Sequence, residues 1–187
     1  MYHIKNDQRA NRSRQLLYDA LANLMRENPF NTITVTDLVE TANVGRTTFY
    51  RNFDEIEDIL RMRCDQTFDE LMTYFKEYRQ LHTNETEIVL LKPLLRFFYL
   101  HSEIIELLLM AKRIDIIQDS FRTGMVLIAD RQGVSAQYVD YSIAIRIGIM
   151  TNILIQWIET GKQQAPDDLA NTLGSMISNM VTLDQLL

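Results

Sequence analysis

From Ile56 to Tyr78 the apolar residues Ile56, Leu60, Cys64, Phe68, Leu71, Phe75 and Tyr78 follow one another at intervals of three and four. That spacing holds one side-chain stripe along a single helical face, a pattern that a strand, with its period of two, cannot keep. A stripe so long must be covered by other elements. Sheets would need frequent turns, and three prolines and six glycines among 187 residues supply too few. With 47% apolar residues there is ample material for a helical core. The expected fold is therefore all-α, with about nine helices.

Local signals place them. Leu16, Leu17, Ala20, Leu21 and Leu24 mark a first helix from Asn11 to Asn28, stopped by Pro29. Thr34-Val35-Thr36-Asp37 reads as a capping box opening a short helix, Val35 to Thr41. Ala42-Asn43-Val44-Gly45 is a tight turn, and Arg46 to Asn52 a second short helix that turns Phe49 and Phe53 inward. Asp54 is expected to cap the long striped helix. Beyond a break at Leu81 to Asn84 come a helix over 85–100 interrupted by Pro93, one from Ser102 to about Lys112, and one from Asp115 to Arg131. After a turn at Gly133, Ser135 to Glu159 is long and apolar, and Pro166-Asp167-Asp168 starts the last helix.

Two short helices joined by a four-residue turn make a helix-turn-helix. Residues 1–53 are thus expected to be a three-helix DNA-binding head, and 54–187 a larger helical body. Charge divides the same way: the first 53 residues carry net +2 and the rest −8, within a total of −6. A basic arm on an acidic body suits a nucleic-acid partner.

Other classes have little support. One cysteine, Cys64, and three scattered histidines make no metal cluster or disulfide. No catalytic triad, phosphate-cradling loop or paired-carboxylate site emerges, so neither enzymatic activity nor a cofactor is expected. The stretch Ile88 to Met110 contains Lys92, Arg96, His101, Glu103 and Glu106, which argue against a membrane span there. With a polar, charged N-terminus, a cytoplasmic location is expected.

The run from Thr34 to Val39, then Ala42-Asn43-Val44-Gly45-Arg46-Thr47-Thr48-Phe49-Tyr50-Arg51-Asn52-Phe53, resembles the DNA-binding signature of the TetR family of regulators. The likeness covers residues 11–60. A recognition helix enters the major groove N-terminus first, which suits Arg46, Thr47 and Thr48. Tyr50 and Arg51 are expected to reach phosphates, and Thr34 and Thr36 to meet the backbone from the preceding helix. Arg9, Arg12 and Arg14, read as an arm before the first helix, are candidates for phosphates or the minor groove. Two departures stand out: Gly45 where the family often has a serine cap, and Ile56 where it commonly has a lysine.

The resemblance further implies a homodimer built on the last two helices and an effector pocket among the middle ones. Tyr141, Ile145, Gly148, Ile149 and Asn152, with Leu173, Ile177 and Met180, are the expected dimer residues. Arg96, Tyr99, His101, Arg122, Asn152 and Trp157 are the effector candidates, a mixture suited to a small apolar or amphipathic molecule. The implied function is a homodimeric repressor on a palindromic double-stranded operator, released by an effector. The alternative is a related regulator that acts through a protein partner or as an activator, without a small-molecule effector.

Overall fold

The computed structural model describes residues 2, 8–82, 90–129 and 136–183, without the side chains of 125–129, 136 and 178–183. Among them are nine α-helices and no strand: α1 (Gln8–Glu27), α2 (Val35–Thr41), α3 (Arg46–Asn52), α4 (Glu57–Leu81), α5 (Leu91–Leu100), α6 (Glu103–Met110), α7 (Ile114–Ala129), α8 (Val139–Glu159) and α9 (Pro166–Leu183). The turn at Gly133, the expected helix start at Ser135 and the beginning of the expected 85–100 helix lie outside the described residues.

Helix ends follow from short-range bonding. Three helices close by one device, in which a residue with positive φ lets two amides fold back on the last turn. After α2, Asn43 (φ 51°) donates to Glu40 O at 3.1 Å, and Val44 to Val39 O at 3.0 Å. Lys112 (φ 57°) does the same after α6, and Gly161 (φ 75°) after α8. Pro93, expected to kink this helix or to mark a shortened start, does not kink α5. It stands in the helix's first turn, where a missing N–H leaves no bond unmade.

Two starts differ from expectation. Helix α1 starts at Gln8, three residues before the expected Asn11, so Arg9, Arg12 and Arg14, read as an arm, are all helical. At the other, α4 begins at Glu57 rather than after Asp54, because the capping runs backwards. The buried Asp58 carboxylate accepts from the amides of Asp54 and Glu55, each at 3.1 Å, and holds that stretch as a bend.

By packing, the chain forms two compact units, Met1–Thr67 with Glu103–Ser120, and Phe68–Ser102 with Phe121–Leu187. In the first, α1 packs on α2, α3 and α6 around the fully buried Leu17, Leu21, Leu38, Phe49, Phe53, Ile59 and Leu60. Tyr18, in α1, donates to Glu103 of α6 at 3.1 Å, and burial raises its pKa. Arg113 pairs with Glu57 and with Asp115, and Arg61 with Asp119 at 3.2 Å. Residues 103–120 thereby pack with the helix-turn-helix segment. Tyr2 joins the same unit, bridging to Phe53 and donating to Asp65 at 2.7 Å. Cys64 is sealed in this core, where burial pushes its thiol up to about 12, so it stays protonated at neutral pH.

In the second unit α5 packs on α8 and α9. Phe68 lies between Phe98 and Phe121, at ring separations of 5.6 and 4.6 Å. One helix among the described residues, α8, is long and apolar enough to cross a membrane, a property that the charges in 88–110 do not address.

Candidate nucleic-acid interface

The interface candidate is built on a buried aromatic base. Within α3, Phe49 is fully buried and packs on Phe53 at 6.0 Å, while Asn52 is buried and donates to Thr48 O at 2.7 Å. These residues occupy one side of a seven-residue helix, so its other side faces outward. Thr47, Tyr50 and Arg51 are exposed there, at positions i, i+3 and i+4, and Thr48 is half-buried beside them. The Tyr50 ring stands edge-on to Phe49 at 5.1 Å, which supports the ring and leaves the residue 56% exposed.

Helix α2 is fastened by its capping box. The Asp37 amide donates to Thr34 Oγ1 at 3.2 Å, and the Asp37 carboxylate accepts from the Thr34 amide at 2.9 Å and from its hydroxyl at 2.6 Å. Thr34 is therefore engaged inside the box, while Thr36, half-buried, accepts from Arg46 Nη2 at 2.5 Å. That bond joins the starts of α2 and α3 across the turn. Nothing in the local pattern announces it, because its partners are ten residues apart and the turn must first fold. Gly45 caps α3 without a side-chain bond.

The capping box carries a pH dependence. The hydroxyl and amide of Thr34 hold the Asp37 carboxyl below its ordinary value. A group depressed on folding contributes stability above its unfolded pKa and loses it as pH falls through the folded one. Acid unfolding below about pH 4 is therefore expected to be less steep in Asp37→Asn than in wild type. Denaturant midpoints at pH 3 and pH 6 check this, and equal acid sensitivity would refute it.

The three N-terminal arginines diverge. Arg9 and Arg12 are exposed on α1, whereas Arg14 is only 6% exposed and donates to Asn11 within the helix. The effector candidates all belong to the second unit. Arg96 binds Asp167 through two bonds of 2.7 and 2.6 Å, which raise its pKa and lower that of Asp167. Tyr99 is exposed and stacks on buried Trp157 at 6.2 Å, and Trp157 Nε1 donates to Gln164 O. His101 ends α5 stacked on Phe97 at 4.5 Å, and Arg122 and Asn152 are exposed. Two recesses of about 330 Å³ open among residues 24–41 and around Phe30 and Met110, and none of the six lines either.

The dimer candidates are more coherent. Tyr141, Ile145 and Ile149 are 71%, 62% and 39% exposed and recur every fourth residue of α8, so they share one outward face. Tyr138 extends that face, Gly148 and Asn152 adjoin it, and Met176 of α9 is also exposed. Leu173 and Ile177 are half-buried, and the side chain of Met180 lies outside the described residues.

Residues 17–61 match the family model described as bacterial regulatory proteins of the tetR family. The N-terminal segment is a TetR-family DNA-binding domain. A curated relative, the HTH-type dhaKLM operon transcriptional activator DhaS of Lactococcus lactis, is 30% identical over 66 residues. That match spans 35% of this chain and 35% of the relative, about a third of each. Solved structures share the fold over nearly the whole length. Lin0861 from Listeria innocua has a TM-score of 0.78 at 17% identity, covering 95% of this chain and 96% of its own. A TetR transcriptional regulator from Streptococcus agalactiae reaches 0.63 at 20%, covering 91% and 96%. The dihydroxyacetone kinase operon activator DhaS reaches 0.56 at 16%, covering 91% and 97%. The TetR-family segment contains α2, the turn and α3 entire, together with α1 from Leu17 onward.

Proposed function

We propose that this chain is a homodimeric transcriptional regulator whose residues 1–53 read an inverted-repeat operator and whose residues 54–187 dimerise and sense a signal. The observation that carries the reading is the exposed face of Arg46, Thr47, Tyr50 and Arg51 on a helix anchored by buried Phe49. Short polar side chains and cations on a helix held at both ends suit entry into a major groove. The outward apolar face of α8 supports a symmetric partner, since an isologous contact needs one self-complementary patch. Two heads bound to successive major grooves would sit about 34–36 Å apart, so a small change in their separation weakens binding.

The proposed sense of regulation is repression relieved by a small apolar or amphipathic effector in the second unit, with Arg96, Tyr99, His101, Arg122, Asn152 and Trp157 as first candidates. The name of one relative favours a second reading. DhaS is called an activator, so this regulator would then activate transcription or answer a protein partner. A protein acting on the bacterial chromosome works in the cytoplasm, the proposed location.

Selection of bound fragments from genomic DNA, followed by anisotropy titration at two salt concentrations, tests the reading. Wild type is expected to enrich a short inverted repeat and to bind more weakly as salt rises. The double variant Arg46→Ala with Tyr50→Phe is expected to lose at least tenfold in affinity, from about 1.4 kcal/mol or more of lost phosphate and base contacts. Equal, weak, sequence-independent binding by both proteins would refute DNA recognition by this face. Reporter expression in a deletion strain separates repression from activation.

A further inference from the structure

The cation at the start of the recognition helix is not free to present its full edge. Arg46 Nη2 donates to Thr36 Oγ1 at 2.5 Å, and Thr36 is half-buried in the first turn of α2. The neighbouring acid is already occupied, because the Asp37 carboxylate accepts from the Thr34 amide and hydroxyl. Among the described residues no carboxylate pairs with Arg46. A guanidinium bound to a neutral hydroxyl keeps its whole charge for a second partner.

We infer that Arg46 and Thr36 form a phosphate clamp across the seam of α2 and α3, and that base discrimination falls to Thr47 on the outward face, where Tyr50 and Arg51 reach phosphates. This rests on the DNA-binding reading above and assigns roles within it. Arginine distinguishes guanine by offering two parallel donors to O6 and N7. The Nη2–Thr36 bond occupies one of the guanidinium's two paired edges and ties the remaining one to the seam of α2 and α3. A phosphate asks less geometry: its oxygens accept from the remaining guanidinium N–H groups and from the Thr36 hydroxyl. That hydroxyl, accepting from a cation, points its own proton elsewhere and becomes a stronger donor. Position on the helix agrees. Phe49 and Phe53, three and seven residues on, are buried, so Arg46 lies at the margin of the outward face, whereas Thr47, Tyr50 and Arg51 occupy its middle.

The test is a binding matrix. Full-length wild type, Arg46→Ala, Thr36→Val and Thr47→Ala are titrated by anisotropy against the selected inverted-repeat duplex, its single-base variants and a scrambled duplex. Arg46→Ala is expected to weaken every duplex by the same factor, to keep the order of preference, and to lower the salt slope by about one per protomer. Thr36→Val should weaken all duplexes equally with the slope unchanged, and should add little in the Arg46→Ala background. Thr47→Ala should instead flatten the preference at particular base pairs. Circular dichroism melts control for folding, and Arg46→Lys, which restores charge without the fork, should recover most of the salt slope. Loss of preference at one base pair in Arg46→Ala, with an unchanged slope, would overturn the clamp and leave DNA binding standing. Salt-independent binding by wild type would overturn both.

Discussion

Replacing Phe49 with alanine is expected to cost about 3–5 kcal/mol and to abolish DNA binding. The side chain is fully buried, against Phe53 on one side and the Tyr50 ring on the other. A seven-residue helix cannot persist in water on its own propensity, and α3 also begins on Gly45, which offers no side-chain cap. Packing, with the Arg46–Thr36 bond at its start, holds it in place. Truncating Phe49 removes the main anchor and leaves a cavity in a small head, whose whole stability is of the order of 5–15 kcal/mol. The contrast is Tyr50→Phe, which deletes one exposed hydroxyl and should weaken DNA binding while leaving the melting temperature within a degree or so. Denaturant unfolding and anisotropy on both variants check the pair. Full DNA affinity in Phe49→Ala would show that α3 is held by something other than this aromatic base.

Gly148→Leu is expected to turn the proposed dimer into a monomer and to lower affinity for the full inverted repeat by about 10²–10⁴-fold, the usual gain from joining two sites. Gly148 adjoins the α8 face of Tyr141, Ile145 and Ile149, and its missing side chain permits close approach by a partner helix. Within one protomer a Cβ at this position meets nothing within 4 Å, so the added side chain starts into open space. Leucine is also a better helix former than glycine, by about 0.8–1 kcal/mol, which protects the fold of the variant. Light scattering over a concentration series is the direct measurement. A monomer mass with an unaltered circular dichroism spectrum supports the assignment. An unchanged dimer mass would move the interface to another surface.

Both predictions depend on features visible at different depths of the molecule. The capping box of Thr34 and Asp37, the turn at Asn43 and the start of α9 at Pro166 were readable from neighbouring residues. Each is decided within about four positions, where a side chain reaches the backbone of its own turn. The buried character of Phe49 and Phe53 was readable too, because a helical period separates inward from outward positions whatever lies opposite. Those same signals placed Arg46, Thr47, Tyr50 and Arg51 on a candidate interface.

Beyond them, a competing contact decides, either within the same turn or from far along the chain. Asp58 reaches back to hold Asp54 and Glu55, so α4 starts later than its first possible cap. Arg14 is sequestered inside α1, although its charge suggested an exposed arm. Arg96, an effector candidate, pairs with Asp167 seventy-one residues away, a contact that no local signal announces. The sequence by itself determined an all-helical chain, the order of its helices and the TetR-like turn that carries its reading face. Only the tertiary structure decided that residues 103–120 pack with the head, that Thr36 holds Arg46, and that α8 leaves an apolar face uncovered. The physical reason is range: helix periodicity and capping act over one turn, whereas a distant partner is chosen only when the whole core closes.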